Sequence, residues 1–253
     1  MEYTFLSKNV AIKKVSEDKD KGVFEITGLY TGYGVTLGNA LRRVLLASLP
    51  GSAITQVKIK GVKHEFSTIN DILEDVVEIT LNLKKIRFAF FADESQTITL
   101  KKKGEGIVTA GDIKGNADVQ VVNPDLHICT ITSKSGEIDM EITVEKGLGY
   151  SPVEYRKQEK LPIGTIAIDA IFTPVTNVNF EVENMRVGDR TDYNKLRLTI
   201  ETDATVSPSR ALHKAANILK DHIDIVSNIE VNEEFESVKK TSVKEKKSTK
   251  KSK

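Results

Sequence analysis

Gly32-Tyr-Gly-Val-Thr-Leu-Gly-Asn-Ala-Leu-Arg-Arg-Val-Leu-Leu-Ala-Ser-Leu-Pro-Gly51 carries the strongest helical signal in the first half of the sequence. Thr36 stands where a side chain can cap a helix. Leu37, Leu41, Val44 and Leu45 then fall on one face at the 3.6-residue period, and Pro50-Gly51 closes the segment. The spacing predicts a helix over 36–49. Arg42 and Arg43 lie mid-helix beside that face, where guanidinium groups can fork onto carboxylates or backbone carbonyls. On the residues alone, two solvated arginines are the plainer reading.

Upstream, Phe5, Val10, Ile12 and Val15, then Val23 to Ile26, read as two short strands around a turn at Lys19 to Gly22. Downstream, an alternating strand runs from Ile54 to Gly61. Residues 69–83 predict a helix with Ile72, Leu73, Val76, Val77 and Ile79 on one side. Short strands follow at 96–101, 118–122, 126–132 and 137–145. Residues 147–163, with Gly147, Gly149, Pro152 and Pro162, read as an exposed irregular loop. Strands at 178–182 and 196–202 precede Ser207-Pro208, a helix N-cap and first position. The stripe Leu212, Ala215, Leu219, Ile223, Val226 advances by threes and fours, which suits a helix packed on another helix. The two best helices thus lie at opposite ends of the chain around a β-rich middle. That favours an α+β fold in which a domain built from both ends is interrupted by an insert. Two consecutive domains parted near 105–115 are the alternative.

Charge narrows the function. The 253 residues carry 37 Lys plus Arg against 36 Asp plus Glu, a net +1, but eight lysines and one Glu fall in 239–253 and four Glu in 229–238. The remaining 228 residues are slightly acidic, which excludes coating nucleic acid through bulk charge. Residues 229–253 have no apolar period and read as a disordered Lys-rich tail. A lone Cys129 excludes an internal disulfide and suits a reducing compartment, and one Cys with four scattered His excludes the usual structural zinc spacings. Neither a secretory signal nor a membrane-length apolar run is readable, so a soluble, cytoplasmic chain is expected. Phosphate-cradling, dinucleotide and serine-nucleophile motifs are absent. Asp71, Glu74, Asp75 and Glu78 read as a solvated helix face, Cys129 as an apolar strand residue, and His213 and His222 as one packed and one solvated imidazole. No residue reads as catalytic, cofactor-binding or metal-binding.

The stretch at 32–51 closely resembles the first-helix signature of the α subunit of bacterial RNA polymerase. Further segments agree in order: Gly61-Val-Lys-His-Glu-Phe-Ser67, Leu81-Asn-Leu-Lys84, Ile128-Cys129, Gly147-Leu-Gly-Tyr150, Arg186-Val-Gly-Asp-Arg-Thr-Asp192 and Ser207-Pro208. The resemblance spans roughly 1–228. It implies a dimerisation domain of residues 1–50 and 173–228, interrupted by a mostly β insert domain over 51–172. It implies a homodimer that serves as the assembly platform for the β and β′ subunits, in the cytoplasm and on the nucleoid as part of the polymerase. Catalysis, with magnesium and zinc, would belong to those larger subunits. By the same resemblance Arg43 and Leu46, with Arg42 beside them, match positions used against β, and Lys84 and Ile168 match positions associated with β′. Leu37, Leu41, Leu45, Leu212, Ala215, Leu219, Ile223 and Val226 match the dimer interface. Family members usually continue into a small helical domain that binds promoter DNA and activators. This sequence stops at Lys253, so DNA contact is expected only indirectly or weakly, through the tail lysines. A stand-alone nucleic-acid-binding protein acting through that tail is the competing function.

Overall fold

Alternation along the strands builds two larger antiparallel sheets from different parts of the chain, beside three two-stranded pairs, among the described residues. The computed structural model describes residues 9–156, 162 and 164–230. In chain order the elements are β1 (Ala11–Glu17), β2 (Lys21–Leu29), α1 (Tyr33–Ala47), β3 (Pro50–Ile59), α2 (Val76–Leu83), β4 (Phe88–Phe90) and β5 (Gln96–Lys103). Next come β6 (Gly106–Thr109), β7 (Ile113–Lys114), β8 (Val119–Val121), β9 (His127–Ile131), β10 (Glu137–Leu148) and β11 (Tyr150–Ser151). The series ends with β12 (Thr165–Ala167), β13 (Ala170–Ile171), β14 (Val175–Val187), β15 (Arg190–Thr202) and α3 (Pro208–Ser227). The expected α+β class is what the structure has, helices with antiparallel sheets.

The first sheet, ordered β1-β2-β15-β14, draws its strands from both ends of the sequence, whereas the second, β12-β3-β10-β5-β7, lies wholly between them. In the first, Leu198 pairs with Phe24 on one side and Phe180 on the other. In the second, Ile142 sits between Val57 and Ile98. One face of that sheet packs into a core with α2, whose Val76, Ile79 and Leu83 are fully buried. The other face carries the alternate residues as ion pairs, among them Lys101–Asp139 at 3.1 Å and Lys103–Glu137 at 2.7 Å.

Several local expectations are corrected. The helix read over 69–83 spans only Val76–Leu83. Ahead of it the backbone is spent on β9: Leu73 donates to the Thr130 carbonyl, Thr132 donates to that of Asp71, and Ile72 bridges to Ile131. Asp71, at φ 61°, has left the helical region. Residues 147–163 are not an irregular loop throughout, since β10 reaches Leu148 and Tyr150 pairs with Ile171. Strands at 178–182 and 196–202 extend into a long hairpin, β14–β15, whose polar end hid it from an apolar-alternation reading. Thr36 lies inside α1, which starts from Gly32 at φ 88° without a side-chain cap of its own. Phe5 and the tail beyond Glu230 lie outside the described residues.

The chain divides into Met1–Ile218 and Leu219–Lys253. In the first part, the opening turns of α3 bury Pro208, Ala211, Leu212 and Ala215. In the second, the helix runs on to Ser227 with Ile223, Ile225 and Val226 exposed, followed by an exposed Ile229.

Candidate functional site

α1 has two faces of different chemistry. Gly34, Gly38, Leu41 and Leu45 form its buried face. A Cβ at Gly38 would come within 2.7 Å of the Phe180 ring, and one at Gly34 within 2.8 Å of Val182, so the helix lies flush on the β14–β15 hairpin. This commits the apolar stripe to the chain's own sheet. Arg42 and Arg43 are exposed, and Leu46 beside them is half-buried. Among the described residues the arginines in ion pairs are Arg87 and Arg190, so Arg42 and Arg43 present two uncommitted guanidinium groups. An always-charged fork next to a leucine can bind a carboxylate flanked by apolar surface.

Lys84 and the neighbourhood of Ile168 are brought together by Asp169. The Lys84 ammonium sits 3.1 Å from Asp169 Oδ2, and the Val153 amide donates to Oδ1 at 3.0 Å. These two contacts, Val153 foremost, hold the Asp169 carboxyl below the ordinary range. The Ile168 side chain is 4% exposed and belongs to the core of the second sheet. Arg156 donates to the Ile168 carbonyl and, at 3.3 Å, to that of Ser151. The surface here is therefore a half-exposed ion pair, with Ile168 shaping it from beneath.

The residues expected at a dimer seam divide sharply. Leu41, Leu45, Leu212 and Ala215 are buried within the chain, and Leu37 and Leu219 are half-buried. Ile223 and Val226 are 63% and 71% exposed. Ile225 and Ile229 are equally exposed and were missed, Ile225 because it falls off the three-four stripe and Ile229 because it was assigned to the tail, although it continues the stripe by a step of three.

The titratable groups take structural positions. Glu74 is not on a solvated helix face. It accepts from the Thr130 amide at 2.6 Å, from the Thr130 hydroxyl at 3.0 Å and pairs with His127 Nε2 at 2.8 Å. Burial pushes its pKa up, but those bonds outweigh it and the net shift is downward. Asp75 caps α2 by accepting from the Glu78 amide. Cys129 is buried in β9, and burial, with Glu74 and Asp112 nearby, pushes its thiol up to about 12. His213 and His222 are both exposed, so neither is packed as the sequence reading had one. Among the described residues no three His, Cys, Asp or Glu side chains converge as a metal site, and no helix is long and apolar enough to cross a membrane.

Residues 57–173 match the profile of the RNA polymerase Rpb3/RpoA insert domain. The chain is 49% identical over 211 residues to the DNA-directed RNA polymerase subunit alpha of Symbiobacterium thermophilum, covering 83% of this sequence and 67% of that one. It is 44% identical over 243 residues to the same subunit of Alkaliphilus oremlandii, covering 93% and 76%. The Oceanobacillus iheyensis subunit is 47% identical over 212 residues, covering 84% and 67%.

Proposed function

Because the chain belongs to the α-subunit family of DNA-directed RNA polymerase, we propose that it works as the non-catalytic assembly platform of that enzyme. It homodimerises through the exposed apolar side of α3. It then recruits the β subunit through Arg42, Arg43 and Leu46, and the β′ subunit at the Lys84 surface over Ile168. The domains of this reading are residues 1–50 with 173–228 for dimerisation and 51–172 for the insert. The origin of the two sheets, one from both ends and one from the middle, supports that division. Nucleotide chemistry, with its magnesium, belongs to the larger subunits in this reading, and the working compartment is the cytoplasm.

One observation carries it above all: α1 spends its apolar stripe on its own sheet yet keeps two uncommitted arginines and a leucine at the surface. A helix that served only its own fold would gain nothing from a paired guanidinium surface without carboxylates facing it. Reconstitution tests the reading. The purified chain should form a dimer at micromolar concentration and capture purified β subunit, then β′, in a complex isolated by size exclusion. A monomer that captures neither overturns it.

A further inference from the structure

Arg186–Asp192, which the docking reading leaves without a task, leads into Asn194 on β15. Residues 192, 194 and 196 share one strand face by the period of two. Asn194 is 7% exposed and aims its Oδ1 at the start of α1. The Gly32 amide donates to it at 2.9 Å and the Gly34 amide at 3.4 Å. Asn194 Nδ2 donates to Asn184 Oδ1 at 3.3 Å, which fixes the orientation of the amide. Two residues earlier, Asp192 accepts from the Thr31 hydroxyl at 2.8 Å and is itself held by Arg190, with bonds of 3.0 and 2.6 Å. The Arg190 guanidinium in turn lies 4.9 Å from the Tyr30 ring centre and 5.5 Å from that of Tyr193.

The first amides of a helix need acceptors, and Gly32 has no side chain to offer one. The acceptor comes instead from a strand 162 residues further along the sequence. Gly34 and Gly38 fix how closely α1 approaches the hairpin, but close packing of glycines leaves sliding along the axis unopposed. The cap opposes it. Arg43 stands nine residues beyond Gly34, about 14 Å along the axis at the helical rise, so a shift at the first turn is transmitted to it directly. We propose that Asn194 is a positioning residue for assembly: by capping α1 from β15 it sets where Arg42, Arg43 and Leu46 are presented to the β subunit. The proposal rests on the docking reading of α1 given above.

The experiment measures β-subunit binding by the full dimeric chain, with amide hydrogen exchange at Gly32 and Gly34 as a direct view of the cap. Asn194→Leu keeps the branching at Cγ and removes the acceptor, whereas Asn194→Asp keeps the acceptor and suits a helix N-terminus. Asn194→Leu should speed exchange at both amides and weaken β binding about tenfold, the scale of one or two lost hydrogen bonds. Asn194→Asp should restore both. In an Arg43→Ala background, Asn194→Leu should add little to the loss. Asn184→Ala, which leaves Asn194 in place and removes only its orienting partner, should give a several-fold loss and covers the case in which Asn194→Leu does not fold. If Arg43→Ala binds normally, the docking reading itself fails. If Arg43→Ala weakens binding while the Asn184 and Asn194 variants bind as the parent does, the docking reading stands and the positioning role is overturned. Equal losses in Asn194→Asp and Asn194→Leu also overturn it.

Discussion

α1 and the far half of α3 carry apolar stripes at the same helical spacing, yet Leu41 and Leu45 are 3% and 0% exposed while Ile223 and Val226 are 63% and 71% exposed. The difference begins in the glycines. Gly34 and Gly38 let α1 sit directly on the β14–β15 hairpin, so its own sheet covers its leucines. The exposed part of α3, from Lys220 onward, leaves its isoleucines and valine in water. Spacing states that a helix face is to be covered; it does not state whose surface covers it. A run of exposed branched residues on a helix is costly in a free chain and marks a surface meant for another molecule. We take that molecule to be a second copy.

The hardest test of this contrast is a charge in the exposed stripe. Ile223→Glu should leave the single chain folded, because nothing buried is disturbed, and should abolish the dimer. Burying an unpaired carboxylate costs several kcal/mol, and a twofold arrangement incurs that cost from both copies. Leu219→Glu should act in the same direction. Sedimentation at micromolar concentration reads the outcome. An ordinary dimer of Ile223→Glu would place the seam elsewhere and dissolve the contrast.

Leu45→Ala probes the other side. Its side chain is fully buried against the chain's own sheet, so truncation should cost about 3 kcal/mol of folding stability, from lost burial and the cavity left behind. Urea unfolding measures it, with dimerisation affected only as far as the fold is. A loss below about 1 kcal/mol would mean that α1 is not anchored as its buried face indicates.

Arg43→Ala should separate binding from folding on one and the same helix. Arg43 is exposed, so the urea midpoint should stay where it is. Binding to the β subunit should weaken by about 2 kcal/mol, the lower range for a lost charge-assisted interface contact. Unchanged binding by a folded variant would remove Arg43 from the docking surface.

What the sequence revealed follows the same division between local and distant causes. The helix at α1, the stripe of α3 and the β-rich middle were legible because each rests on periodicity within a short window. The arginine pair was visible too, although only the fold shows that α1's apolar face is already occupied. The start of α3 was read correctly from Ser207-Pro208, whereas α1 begins three residues before Thr36. The distant acceptors were not legible: the α1 amides at Gly32 and Gly34 are met by Asn194, and the α3 amide at Ser209 is met by Glu17. Neither acceptor is near its helix in sequence, so no local rule could find it. The overlong helix at 69–83 failed for a related reason: residues 71–73 pair with β9 near residue 130, and tertiary pairing overrode a good local pattern.

These distant caps supply the smallest test, and it again sets α1 against α3. The cap on α1 comes from the neutral Asn194, whereas that on α3 comes from the carboxylate of Glu17. Its Oε1 accepts from the Ser209 amide at 2.9 Å, and its Oε2 lies 2.8 Å from the Lys14 ammonium. Lys14 first, and Ser209 second, lower the Glu17 pKa from 4.5 to about 2. A carboxyl whose pKa is lower in the folded chain contributes stability above its unfolded pKa and loses it as pH falls through the folded one. The contribution of Glu17 should therefore be complete above pH 4.5 and fade toward pH 2. Glu17→Gln keeps an acceptor for Ser209 and removes the charge. Near neutral pH it should cost about 0.5 kcal/mol, the scale of one charge at a helix N-terminus. That difference from the parent should close as pH falls from 4.5 toward 2, while the gap between Asn194→Leu, which removes a neutral acceptor, and the parent should keep its size over the same range. If the Glu17→Gln and parent curves run parallel down to pH 2, the Glu17 charge does not cap α3, and the two helix starts are held in the same way after all.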